Sequence, residues 1–268
     1  MGGAMRAGFA ALFAAVTGTA LVGFAAWRLP PVASVHGHGV DATIEYLLVA
    51  TGAVFVVGHA VLMAFVCRAR PAGEAYRAPS RTAEVWWALG PVAVMVGIAE
   101  AGVLFVGASA WAAMYTDAPA DALVVEVVGK QFEWLVRYPG KDGKFGAVDP
   151  AKVHETRNPL GLDKKDPAAK DDLVSRGTLV LPVGRPVLVR LRSLDTLHSF
   201  WVPAARVKQD LVPGSWTQAQ FTLEGAGEHE IACAEVCGLG HYKMRGLLRA
   251  LPDAEYARWL AAQTGWFE

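Results

Sequence analysis

Three long apolar stretches, about residues 7 to 27, 43 to 66 and 86 to 113, crowd the first 115 positions of this chain of 268 residues. In hydrocarbon every backbone N–H and C=O needs a partner inside the protein, so such stretches cross a membrane as helices. The second makes about 36 Å of helix at ~1.5 Å per residue, enough for a core of about 30 Å. The third is of similar length. Between them, Arg68, Arg70, Arg77 and Arg81 stand against the single acid Glu74, and an excess of positive charge marks a cytoplasmic loop. Residues 43–114 are therefore read as a transmembrane hairpin with its loop at 67–84. Both its ends, and everything after it, then lie on the periplasmic side of the inner (plasma) membrane. Trp111 and Tyr115 suit the outer interfacial belt. The first stretch reads two ways. Arg6 before it and the small residues at Ala25-Ala26 fit a cleaved signal peptide. Its length favours an uncleaved span with a cytoplasmic N-terminus, and residues 1–29 are taken as that additional helix.

After Pro119 the periodicity changes to two. Leu123 to Val128 and Phe132 to Tyr138 read as strands. A polar stretch from about 139 to 176, punctuated by Pro and Gly, is expected to be a long surface excursion. Strand signals return at Thr178 to Pro182, Pro186 to Arg192, Ser199 to Pro203, Trp216 to Leu223, Glu228 to Ala232 and Arg245 to Ala250. Short strands with turn residues between them imply an all-β sandwich or small barrel over residues 117–268. Residues 253 to 262 read as a short helix with Trp259 and Leu260 turned inward. The 25 basic and 25 acidic residues cancel, which removes any electrostatic case for nucleic acid.

The chemistry is concentrated near the C-terminus, where the chain reads Cys233-Ala-Glu235-Val-Cys237-Gly-Leu-Gly-His241-Tyr-Lys-Met244. Another imidazole, His198, stands upstream in His198-Ser-Phe-Trp-Val-Pro203. Thiolate, imidazole and thioether are the soft and borderline ligands that favour copper. A mononuclear blue-copper site uses one cysteine, whereas two thiolates four residues apart can each bridge two metals, with an imidazole at either end. Two plainer readings stand beside this one: a disulfide between Cys233 and Cys237, and a structural zinc held by two Cys and two His. Neither uses Met244, whose thioether is a natural weak donor to copper. His229 reads as a strand residue, and His36, His38 and His154 are assigned no metal.

The run Cys233-x-Glu235-x-Cys237-Gly238-x-x-His241-x-x-Met244 resembles the CuA motif of subunit II of haem-copper respiratory oxidases (the cytochrome c oxidase subunit II family). His198-Ser199-Phe200-x-x-Pro203 and Lys208-x-Asp210-x-x-Pro213-Gly214 are similar to that family's preceding segments, and the likeness spans about residues 43 to 262. It implies a cupredoxin-like Greek-key barrel anchored by the helical hairpin. It also implies a dinuclear copper centre held by His198, Cys233, Cys237, His241, Met244 and the carbonyl of Glu235. The Glu235 carboxylate would help bind magnesium at the boundary with the catalytic subunit. Implied partners are catalytic subunit I, further subunits, a c-type cytochrome donor and membrane lipid. The family's Gly-x-Gln-Trp-x-Trp run is altered to Gly129-Lys-Gln-Phe132-Glu-Trp134. Electron entry is expected at Phe132 and Trp134, with plain strand core as the alternative reading.

Glu84, opening the third stretch, resembles a glutamate near the family's proton-uptake route, or it simply favours a helix N-terminus. Glu100 lies mid-span at nearly the depth of His59 in the antiparallel neighbour. The two are expected to share a hydrogen bond or to face a partner subunit together. The function these readings imply is electron entry to an oxygen-reducing terminal oxidase. Oxygen chemistry would occur on another chain, since this one has no C-x-x-C-H haem attachment motif. Two alternatives are the corresponding subunit of a nitric-oxide reductase and a membrane-tethered copper carrier or metallochaperone.

Overall fold

The computed structural model describes residues 3–68 and 78–267. Arg70, Glu74 and Arg77 of the arginine-rich loop lie outside them. The chain divides into two compact units, Met1–Leu29 with Gly39–Ala108, and Pro30–His38 with Ser109–Glu268.

Among the described residues, three helices are long and apolar enough to cross a membrane: Gly3–Ala26, Gly37–Arg68 and the rod Arg81–Tyr115. We label the first two α1 and α2. The rod is composite: α3 (Arg81–Val94), a π-helical turn at Met95–Glu100, and α4 (Ala101–Tyr115). Ser80 caps α3 by accepting the Ala83 N–H at 3.2 Å, and Glu84 sits in the first turn, where the helix dipole favours a carboxylate. Pro91 withdraws a backbone donor inside α3, and the helix widens about one turn later. The Tyr46 hydroxyl of α2 donates to the Ile98 carbonyl in that π turn. It lies where a side chain at Gly102 would otherwise sit, so the absent Cβ makes the contact possible.

The second unit is built on ten strands in two sheets. Sheet one has the order β3-β2-β1-β5-β8: Leu173–Arg176, Glu133–Tyr138, Leu123–Lys130, Pro186–Ser193 and Thr217–Thr222. Sheet two runs β4-β10-β9-β6-β7: Thr178–Pro182, Arg245–Leu251, Gly227–Cys233, His198–Val202 and Val207–Leu211. The ladders give a cupredoxin-like sandwich of two curled sheets rather than one continuous barrel. Alternation places Val125, Val127, Trp134, Val136, Val189 and Leu191 of sheet one against Leu179, Leu181, Phe200, Ile231 and Leu248 of sheet two, in one shared core. The helix α5 (Asp253–Ala261) lays Trp259 and Leu260 on that core.

Two features depart from expectation. Strand β7 was not anticipated, because Val-Lys-Gln-Asp-Leu carries apolar residues only at its ends; pairing with β6 from His198↔Leu211 to Val202↔Val207 forms it. The excursion after β2 is also no mere surface loop. Its Leu160, Leu162 and Ala169 bury themselves against Val128 and Leu135 on the outer face of sheet one, a second small core. The same face holds a buried ionic cluster. Arg137 donates to Glu126 at 3.1 Å and to Asp172 at 2.5 Å, and all three are 3% exposed or less.

Candidate metal centre

The hairpin between β9 and β10 carries most of the candidate ligands. Antiparallel pairing of Ala232 with Arg245 brings the two ends of the intervening loop together. Cys233 ends β9, and β9 pairs with β6 through Phe200↔Cys233, so His198 at the start of β6 arrives beside it. Inside the loop, Gly238 takes a φ of +128°, a conformation open to glycine. The chain then tightens into a 3₁₀ turn, His241–Lys243. Backbone bonds from Cys233 N–H to the Met244 carbonyl and from His241 N–H to the Gly238 carbonyl, each 3.1 Å, fix the loop against its strands.

All six donor atoms converge. The two sulfurs lie 3.8 Å apart and unbonded. His198 Nδ1 is 3.9 Å from Cys233 Sγ, and His241 Nδ1 is 3.7 Å from Cys237 Sγ. Met244 Sδ lies 3.8 Å from Cys237 Sγ, and Cys233 Sγ–H donates to the Glu235 carbonyl at 3.1 Å. Candidate ligand atoms of His198, Cys233 and Cys237 all fall within 4.8 Å of one another, and all three residues are buried. The donor set fits a soft metal. A span of 3.8 Å is one that a single ion bridges through two metal–sulfur bonds of about 2.3 Å, bent near the tetrahedral angle. Burial, and then the neighbouring Cys233 sulfur, push the Cys237 thiol up to about 11. The Cys237 thiol therefore keeps its proton at neutral pH, and a bound cation would supply the charge that stabilises its thiolate.

Sequence reasoning missed the clamp behind His198. Asp195 Oδ1 accepts from His198 Nε2 at 2.8 Å, which turns Nδ1 toward the sulfurs. Asp195 is held in turn by the amides of Gln131 and Thr196, each at 2.7 Å. Partial burial works against ionisation of Asp195, but donation from Gln131, His198 and Thr196 outweighs it and holds the carboxyl below its usual range. Gln131 also donates its side chain to the Cys237 carbonyl at 2.6 Å, joining both halves of the site. The only sequence signal for this clamp was an acid three residues before His198. Gly129 leaves room for the imidazole: a Cβ there would stand 3.0 Å from the His198 ring.

The two candidate entry aromatics part company. Phe132 is 39% exposed, and its ring covers Gly240, where a Cβ would overlap it. Trp134 is wholly buried, its ring centroid 6.3 Å from that of His198 and 6.0 Å from that of Phe200. Of this pair only Phe132 reaches the surface. Glu235 is half-buried. His229 is held in β9 opposite Leu248, apart from the clustered ligand atoms. In the other unit, His59 donates from Nδ1 to the Phe55 carbonyl of its own helix at 3.0 Å and packs edge-on to Phe13 of α1. Among the described residues no hydrogen bond or ion pair joins it to Glu100, which is exposed. Matching depth is not matching azimuth: the helix turns His59 toward α1.

The model for the family described as cytochrome c oxidase subunit II, periplasmic domain, matches residues 123–251. The chain is 37% identical over 243 residues to the alternative cytochrome c oxidase subunit 2 of Bradyrhizobium diazoefficiens, spanning 90% of this chain and 85% of that protein. It is 28% identical over 199 residues to cytochrome c oxidase subunit 2 of Cereibacter sphaeroides, covering 68% of this chain and 61% of that one. Among solved structures, the periplasmic domain of subunit II of cytochrome oxidase of Bradyrhizobium japonicum aligns with 54% of this chain and 95% of its own, at 28% identity and a TM-score of 0.40.

Proposed function

The chain belongs to the cytochrome c oxidase subunit II family, and from that premise we propose that it is the electron-entry subunit of a haem-copper terminal oxidase. In this reading it accepts electrons from a c-type cytochrome at a dinuclear copper (CuA) centre and passes them to haem in catalytic subunit I, where oxygen is reduced. The observation that carries the reading is the convergence of Cys233, Cys237, His198, His241, Met244 and the Glu235 carbonyl, with the two sulfurs 3.8 Å apart. Cys233 and Cys237 would bridge, His198 and His241 would cap, and Met244 and the Glu235 carbonyl would donate weakly. When bound, two coppers sharing one electron supply a redox couple whose charge change is spread over all these ligands.

The rest is the work of the protein. His198 and Cys233 sit on strands β6 and β9, and backbone bonds from Cys233 and His241 brace the loop that carries the other ligands, so the site would change shape little between redox states. Asp195 sets the tautomer of His198, and Gln131 anchors the loop. Burial of both cysteines, 9% and 3% exposed, excludes water from the sulfurs. Phe132, over the ligand loop, offers the apolar contact for the donor. The Glu235 carboxylate, with no ion pair among the described residues, is the group proposed to bind magnesium at the boundary with the catalytic subunit. Glu84 is proposed to lie near a proton-uptake route into that subunit, and Glu100 and His59 to face a partner subunit.

Electron paramagnetic resonance on the copper-loaded chain tests the central claim. One unpaired electron shared between two equivalent copper nuclei gives a seven-line hyperfine pattern, whereas isolated ions give four lines. His198→Ala should abolish the shared signal and His229→Ala should leave it. A four-line spectrum from the wild-type chain would sink the dinuclear reading.

A further inference from the structure

Phe132 sits at the tip of the β1–β2 hairpin, in the two-residue turn between the paired residues Lys130 and Glu133. Its ring lies on Gly238 and Gly240, where an added Cβ would stand against it or within it. Those glycines flank Leu239, which is 98% exposed, more than any other large apolar side chain among the described residues. Gly238 follows Cys237 and Gly240 precedes His241. An exposed leucine and a part-exposed phenyl ring therefore occupy one short stretch of backbone, bracketed on both sides by candidate copper ligands.

The charges beside this apolar spot are closed on themselves. Lys130 Nζ lies 3.2 Å from the Glu133 carboxylate, and Arg176 donates to both Glu133 oxygens at 2.9 Å. Glu155 reaches back from the excursion after β2: its carboxylate is 3.8 Å from Lys130 Nζ, and its carbonyl accepts from Arg176. Two cations thus meet two carboxylates. Asp195, bonded to the Gln131 amide of the same turn, is engaged by His198 and Thr196 as well. Lys243, further along the ligand loop, is laid over the Tyr242 ring, 5.3 Å from its centroid. From Asp117 onward the chain carries 19 basic and 20 acidic residues. Exposed pairs of this kind are worth little to stability, so their consequence lies in the field. Neither sign predominates around Phe132, and long-range steering of a highly charged partner has nothing to act on.

Taking the electron-entry reading as given, we propose that Leu239 and Phe132 together dock a c-type cytochrome whose haem edge is framed by apolar, uncharged surface. Glu155 of the excursion keeps this face neutral by occupying Lys130. A cytochrome with a lysine-ringed haem edge would desolvate its ammonium groups against carboxylates that are already engaged, a cost with no compensating pair.

The test follows reduction of the copper centre in the full chain by stopped-flow absorbance. Two reduced soluble c-type cytochromes serve as probes, one with an uncharged haem edge and one with a lysine-ringed edge. With the uncharged-edge probe the second-order rate constant should change less than about twofold between about 10 and about 200 mM salt. It should exceed that of the lysine-ringed probe by about tenfold or more. Leu239→Ser, at a position with almost no buried side chain to lose, should lower it about tenfold, the scale of a central interface contact. The seven-line copper spectrum should stay as in wild type. Glu155→Gln frees Lys130, and should slow the lysine-ringed probe a further two- to fivefold or so at low salt, the difference vanishing at high salt. A rate constant that falls more than about tenfold with salt, or one unmoved by Leu239→Ser, overturns the proposal and leaves electron entry standing. No reduction by either cytochrome, in a chain whose copper dithionite still reduces, sinks electron entry itself and this docking with it.

Discussion

Asp195→Ala removes the group that holds His198 in place, and the structure sets the scale of the damage. The carboxylate accepts from His198 Nε2 at 2.8 Å and from the amides of Gln131 and Thr196 at 2.7 Å each. His198 is wholly buried, so without Asp195 its ring N–H has no solvent to turn to. An orphaned buried donor costs about 1–3 kcal/mol, and partners that orient a metal-bound imidazole are worth roughly 10–100-fold in metal affinity. The free ring has two ways out: it rotates, or it changes tautomer. Either withdraws Nδ1 from the sulfurs. Copper affinity of the full chain, measured by competition with a chelator, should therefore fall about 10–100-fold, with altered hyperfine splitting in the copper that remains. Ser193→Ala, which loosens the same turn without touching the imidazole, should change affinity less than about threefold. If Asp195→Ala destabilises the fold yet binds copper within about twofold of wild type, Asp195 is a turn residue and the orienting role is wrong.

Arg137→Met should cost about 3–5 kcal/mol in denaturant unfolding, because it leaves Asp172 buried without its cation and Glu126 with only Arg190, at 3.4 Å; adding Glu126→Gln and Asp172→Asn should recover most of it. Gly240→Ala forces a methyl into the Phe132 ring, so the loop must open. The expected loss is about 1–3 kcal/mol of metal-site stability, and shortening the ring with Phe132→Leu should rescue it if that overlap is the cause. His36 supplies a pH dependence. Burial, opposed by its bond to the Arg206 backbone, holds its folded pKa below the usual 6.5, so the folded chain binds fewer protons than the unfolded one. The associated stability is present above pH 6.5 and is lost as pH falls through 6.5 toward the folded value, at no more than about 1.4 kcal/mol per pH unit. Thermal unfolding of His36→Phe against wild type between pH 7 and 5 should show that slope flattened in the variant.

What could be read in advance was local. Cys233, Cys237, His241 and Met244 fall within twelve consecutive positions, so a single hairpin brings them together whatever the remainder of the chain does. The strands of β1, β5 and β10 announced themselves through alternation, and the spans through length. Asp195 and Gln131 were not legible as a clamp, because Gln131 reaches Asp195 across 64 positions and Cys237 across 106. Only the parallel pairing of β1 with β5 makes them neighbours. Leu160 and Leu162 were hidden for a similar reason. They sit in a stretch with no period and are apolar against a sheet face that local sequence cannot place.

His59 shows the limit from the other side. Rise per residue set its depth, but rotation about the helix axis put it against Phe13 and left Glu100 without it. Trp134 makes the same point within the sheet: alternation alone allowed core or surface, and packing on Phe200 and His198 decided core. The amino-acid order by itself determined which segments enter the bilayer, which form strands, and which side chains offer electrons to a soft metal. These follow from solvation of the backbone, the period of side-chain direction and the chemistry of the donor atoms, all properties of short stretches. The three-dimensional packing alone decided which way each ring points and which acid steadies the buried imidazole. Those depend on free energies of contact between residues that the chain itself keeps far apart.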